Sequence, residues 1–166
     1  MQINVKVDDR EVKEGFKKLQ AKMGDLTPVM RDIGEIIITS IKRNFEQGGR
    51  PPWRESVRAK RDSGKTLSDT GRLKNSLTIR AFSNRVIVGT NVKYAAIHQF
   101  GGVIPARTIK PINARALLIP TKNGFIFRKS ASIPATKMPA RPFMLVQDED
   151  WGIIKTAILK HLEVNK

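Results

Sequence analysis

Apolar residues recur along this chain at spacings that name most of its elements. Residues 2–7, Gln-Ile-Asn-Val-Lys-Val, alternate polar and apolar, the period of a half-buried strand. Asp8 or Asp9 then suits the cap of a helix running to about Met23, with Val12, Phe16 and Leu19 on one stripe. A second helix is predicted over residues 27–47. Thr27-Pro28 reads as an N-cap followed by proline at the first helical position, and Met30, Ile33, Ile37, Ile41 and Phe45 follow in three- and four-residue steps. At ~1.5 Å per residue this helix is about 30 Å long, and each isoleucine it buries contributes ~1.5–3 kcal/mol. Gly48-Gly49 stops it.

Further along, Asp69 or Thr70 caps a short helix with Leu73 and Leu77 four apart. Residues 78–82 and 85–89 read as two strands joined at Ser83-Asn84, and 94–100 as a short helix closed by Gly101-Gly102. Prolines crowd residues 99–147 and exclude a long helix there. Inside that stretch, 117–119 and 125–127 flank Asn123-Gly124, a hairpin turn signal, and Pro120 marks the first of these strands as an edge or bulged one. Another strand is expected at 131–133. The last helix runs from 148 to about 164, with Trp151, Ile154, Ile158 and Leu162 on its stripe and Asp148, Glu149 and Asp150 at its positive end. The fold class is α+β, helices flanking a small, mostly antiparallel sheet, with residues 1–166 forming a single domain.

Charge changes this picture at one place. Lys and Arg number 31 against 15 Asp and Glu, a net +16 that favours an anionic partner: nucleic acid, an acidic protein surface or a membrane surface. Residues 48–69 hold Arg50, Arg54, Arg58, Lys60, Arg61 and Lys65 around Trp53, with only Glu55 and Asp62 opposing them until Asp69. Glycine, proline and serine make this a long basic flexible loop, with at most one helical turn near residues 56–60. It is the candidate anion- or partner-contacting arm, in which Trp53 either stacks on a base or anchors the loop on the protein.

Chemistry is harder to find. Cysteine is absent, which removes disulfides and thiolate metal sites and makes a cytosolic origin the simple reading. Only His98 and His161 could supply imidazole, and no Gly-x-Ser-x-Gly or phosphate-binding glycine loop occurs. The acidic run at 148–150 has a helix-start role already, so a catalytic metal is not expected there. No catalytic, metal or cofactor residue is assigned, and the chain is not expected to be an enzyme. Residues 1–22 carry charges throughout, so no secretory signal is expected, and no run approaches the ~20 apolar residues of a membrane span.

A series of motifs, taken in order, resembles one family. Phe45 with Gly48-Gly49-Arg50-Pro51-Pro52-Trp53 comes first, then Leu67-Ser68-Asp69-Thr70-Gly71-Arg72-Leu73-Lys74-Asn75-Ser76. Val88-Gly89-Thr90-Asn91 leads into Tyr94-Ala95-Ala96-Ile97-His98-Gln99-Phe100-Gly101-Gly102, and Met138-Pro139-Ala140-Arg141-Pro142-Phe143-Met144 closes the series. This is similar to the phage virion morphogenesis family, also called tail completion proteins, from about Phe45 to the last helix. Met144 stands where that family often has Leu, a volume-conserving exchange. Residues between Gly102 and Pro139 carry no part of the resemblance.

The resemblance implies a structural protein of the virion, assembled in the bacterial host cytoplasm, that completes the tail or joins it to the head. It implies other tail or neck proteins as partners, a homo-oligomeric ring, and a basic loop facing either an acidic neighbour or DNA passing through the neck. The motif residues also have local readings. Thr70-Gly71 starts a helix ahead of Leu73, and Gly101-Gly102 makes a tight turn. Tyr94, His98 and Gln99 are placed for an internal hydrogen-bond set. Arg141, between Pro139 and Pro142 and two residues before Phe143, suits a fixed salt bridge or a partner's carboxylate. The alternative is a free nucleic-acid-binding protein acting through its basic loop, although no helix-turn-helix, zinc or RNA-recognition pattern supports it.

Overall fold

The computed structural model describes residues 10–121 and 124–162. Its elements in order are α1 (Arg10–Gly24), α2 (Thr27–Gln47), α3 (Val57–Asp62), α4 (Arg72–Asn75), β1 (Leu77–Ala81), β2 (Val86–Thr90), α5 (Ala95–Phe100), β3 (Gly102–Ile104), β4 (Arg107–Ile109), β5 (Leu117–Thr121), β6 (Gly124–Arg128), β7 (Ala131–Ile133), β8 (Thr136–Met138) and α6 (Asp148–Leu162). The α+β class is as expected. The strands form four separate two-stranded antiparallel ribbons, β1-β2, β3-β8, β4-β7 and β5-β6. The strand expected at 2–7 lies outside the described residues.

The chain divides into two compact units, one built from residues 1–93 and 143–166 and the other from residues 94–142. In the first, α2 packs on α6 and across β1 and β2. Val29, Ile33 and Ile154 form a buried cluster, wrapped by Leu26, Met30, Ile36, Ile37 and Val86. Gly34 makes the close crossing of α2 over the ribbon possible: a Cβ there would lie 2.6 Å from Ile79 Cγ2. The sequence stripe therefore locates the buried face of α2, but the residue that sets its distance from the ribbon is the small one within it.

Two details of the helices differ from expectation. Thr27 is the first residue of α2 rather than its cap, and Leu26 makes no side-chain cap bond. The Asp25 carboxylate instead accepts from Thr27 N at 2.9 Å. The stripes of α1 and α6 are only partly covered: Phe16 is 69% exposed and Trp151 61%, whereas Ile154 is buried at 7%. The start of α6 is held by bonds from its acidic first turn.

The second unit contains α5 and the ribbons β3-β8, β4-β7 and β5-β6. Strands β3, β4 and β8 were not foreseen, because three-residue strands next to prolines leave too short a pattern to read. β5 and β6 run Leu117↔Arg128 through Thr121↔Gly124, and Pro120 sits in a strand with only one neighbour, as its missing N–H requires.

Candidate functional site

Arg50 stands at the centre of the first unit's polar network. Gly48 ends α2 in the left-handed conformation (φ 76°), and both Gly49 N (2.8 Å) and Gly48 N bond back to Asn44 O. The turn continues with Trp53 N donating to Gly48 O at 2.8 Å. Gly49 has φ 104°, and a Cβ on it would lie 2.5 Å from Trp53 Cδ1, so glycine lets the indole close over the turn. The turn aims the Arg50 guanidinium back at the helix it has just left. Nε donates to Asn44 Oδ1 at 2.7 Å, and Nη2 donates to Ser40 O at 3.0 Å and Ser40 Oγ at 2.7 Å. Nη1 reaches Glu149, which also pairs with Arg43 at 3.1 Å.

The acidic start of α6 completes this network. Asp150 is buried at 2% and accepts from Ser40 Oγ at 2.6 Å and from Gln147 N at 2.8 Å. The second bond is the reach-back of a third helical residue to the cap backbone N–H. Gln147 Nε2 donates to Arg50 O at 2.8 Å, and Asn44 Nδ2 donates to Phe143 O at 3.0 Å. Asn44 is fully buried, and its amide is thus satisfied on both sides. Below the polar layer, Phe45 meets Trp53 edge-on at 5.6 Å and Phe143 at 5.4 Å. The turn after α2, Phe143 in the segment before α6, and the end of α2 therefore lock one another.

The basic segment beyond Trp53 has its own organisation. Ser56 Oγ accepts from Ala59 N at 3.1 Å and caps α3, and Ser56 N donates to the buried Thr66 hydroxyl at 3.1 Å. Arg58 donates to Lys65 O at 2.7 Å and pairs with Asp69 at 3.3 Å; Arg61 pairs with Asp62 at 2.6 Å; Lys65 reaches Glu46 O at 3.3 Å. Lys60 and Arg54 are exposed. Trp53 is thus the anchor on the protein rather than an outward aromatic, and Arg50 belongs to the interior network. Thr70 Oγ1 accepts from Arg72 N at 3.4 Å, Gly71 (φ 73°) precedes α4, and Leu73 is buried.

In the second unit, Arg141 N donates to His98 O at 2.7 Å, joining the Tyr94–Gly102 and Pro139–Pro142 motifs. Arg141 is buried at 4%, and its Nη1 reaches Met138 Sδ at 3.4 Å. Gly101 and Gly102 both have positive φ, and Gly102 opens β3 opposite Met138. Of the set expected from Tyr94, His98 and Gln99, Tyr94 meets His98 edge-on at 5.8 Å, and His98 Nδ1 is buried with no hydrogen-bond partner among the described residues. Burial, and then the nearby Arg141 guanidinium, hold His98 below the ordinary imidazole value of about 6.5. As pH falls past about 6.5 the unfolded chain takes up a proton that the folded chain refuses. Stability is therefore full above that value and is lost as pH falls through the lower folded pKa. His98→Gln is expected to flatten the decline of Tm between pH 7 and 5; parallel declines in both proteins would clear His98 of the effect.

One signal was available in the sequence and was missed. From Thr70 to Gln147 there is no Asp or Glu at all, and residues 94–142 carry eight Lys or Arg. The charge excess is thus not confined to 48–69. Among the described residues no group of three or more His, Asp or Glu converges as a metal site would need, and no helix is long and apolar enough to cross a membrane.

Residues 7–163 match the model of the phage virion morphogenesis family. The chain is also 38% identical, over 112 residues, to the Mu-like prophage FluMu G protein 2 of Haemophilus influenzae, covering 68% of this chain and 79% of that protein. No solved structure matches it.

Proposed function

This chain belongs to the phage virion morphogenesis family and has a structural role in building phage particles, and from that premise we propose that it completes the tail or joins it to the head as a ring at the neck or tail end. Family membership points to a structural rather than enzymatic role and to other phage proteins as partners. The observation that best supports the finer reading is where the motif residues go. Arg50, Trp53 and Phe143 are spent on holding the first unit together, bonded to Asn44 or packed on Phe45. Arg141 and His98 do the same in the second. These motif residues thus maintain each unit from within, and partner contact falls to the surface of a chain whose net charge is +16. Acidic neighbouring proteins are its natural complement.

Mass measurement tests this directly. The purified chain is expected to run near 18.6 kDa alone and to bind, in several copies per tail, to tails prepared without it. Absence of binding to such tails rejects the proposal. The acid-free stretch gives the nucleic-acid reading a claim to a test as well. Five phosphate contacts from Arg54, Arg58, Lys60, Arg61 and Lys65 would contribute a slope of about −4.5 to log K against log salt on duplex DNA, at roughly −0.9 each. Because Arg58, Arg61 and Lys65 already bond within the chain, replacing all five by Ser is expected to change the slope by less than about 2. A change near the full value would move the function to DNA.

A further inference from the structure

The β5-β6 hairpin presents a surface that an isolated body would not be expected to leave in water. Its register sets Leu118 opposite Phe127 and Pro120 opposite Phe125, so these four side chains share one face. Leu118 is 56% exposed, Phe125 66% and Phe127 74%. On the other face Leu117 and Ile119 are half-buried and Ile126 is 40% exposed. A half-covered antiparallel ribbon ordinarily turns polar residues outward; this one turns its largest apolar residues outward. Single exposed apolar residues are common, but a contiguous row of them marks an interaction site. Among the described residues the ribbon has only two strands and neither outer edge is paired, and a two-stranded hairpin in water is marginal without something packed on it.

Charge chooses the occupant. The unit carrying this hairpin has eight Lys or Arg and no Asp or Glu. Arg115 lies just ahead of β5, and Arg128 and Lys129 lie at the end of β6. A second copy docked hairpin against hairpin would bring the same cations into a contact narrower than the screening length of ~8 Å. Nucleic-acid platforms interleave aromatic and cationic side chains on one face, whereas here the face is Leu, Pro and two Phe, with the cations at its end. We propose that this face docks into an apolar groove, rimmed by carboxylates, on a different protein of the particle. The inference rests on the morphogenesis reading above and adds to it which surface makes the contact and what chemistry receives it.

The test uses the full chain and tails prepared without it. Phe125→Ser/Phe127→Ser, both at exposed positions, is expected to keep the wild-type circular dichroism and Tm while binding these tails roughly 30-fold or more weakly, the scale of losing an aromatic anchor. Leu118→Glu, on the same face of the neighbouring strand, is expected to weaken binding similarly and guards against a folding defect peculiar to the double variant. Arg128→Glu/Lys129→Glu should weaken binding through charge alone. If wild type and all three variants bind tails equally, the hairpin is not the docking surface, although the morphogenesis reading stands. If wild type itself fails to bind, that reading falls and this one with it. Two other outcomes overturn the assignment: a wild-type oligomer that the double variant converts to monomer makes the occupant a second copy. Loss of binding to a single-stranded thymidine oligonucleotide with tail binding intact makes it nucleic acid.

Discussion

Replacing Arg50 by alanine is expected to destabilise the protein by about 3 kcal/mol, as measured by chemical denaturation. The ion pair with Glu149 is a small part of this, because that carboxylate is 55% exposed and solvent screens it. The larger part comes from what the guanidinium leaves behind. Asn44 is fully buried, and its Oδ1 would lose the 2.7 Å bond from Arg50 Nε. Ser40 would lose two more, at its carbonyl and its hydroxyl. A buried polar atom left without a partner costs about 1–3 kcal/mol, and these atoms lie beside one another. Arg50→Lys should recover less than half of the loss, since an ammonium cannot bond Asn44 and Ser40 together as a planar fork does. A loss under about 1 kcal/mol for the alanine variant would mean that water replaces the guanidinium without penalty, and that the network does not hold α2 to α6.

Phe143→Ala is expected to cost about 3–5 kcal/mol, the range for removing a large buried aromatic. Phe143 is fully buried, packs on Phe45 at 5.4 Å, and carries the carbonyl that accepts from Asn44. Against a total stability of about 5–15 kcal/mol this brings the chain close to unfolding. Phe143→Leu should lose far less, because most of the volume stays. Phe45→Ala combined with Phe143→Ala should cost less than the sum of the two, since both open the same space. Strict additivity in that pair would contradict the packing of the end of α2 and the segment before α6 into one core.

Much of the fold was legible because its longer elements are periodic. α2 spans 27–47 as its stripe and glycine stop require, and the hairpins at 77–90 and 117–128 are set by alternation and turn residues. What periodicity could not supply was the third dimension. Arg50 and Arg58 look alike in sequence, two half-buried arginines in a basic stretch, yet one joins α2 to the start of α6 and the other bonds only within its own segment, to Lys65 and Asp69. The difference comes from the turn geometry at Gly48-Gly49, which aims Arg50 backwards. Asp148, Glu149 and Asp150 likewise read as equivalent dipole partners, but only Asp150, one turn in, meets Ser40 and the cap backbone. The outward row on β5 and β6 was hidden for the opposite reason: Leu, Phe and Ile in alternation read as core on either face, and only the structure shows which face lacks cover.

The most direct test of an assembly role is the titre of infectious particles from an extract of cells carrying the phage with this gene deleted. Heads and tails are expected to accumulate there unjoined or unfinished, and the purified chain added to the extract should restore infectivity, with the Phe125→Ser/Phe127→Ser protein restoring little. Normal titres from the deletion, without any added protein, would contradict the account.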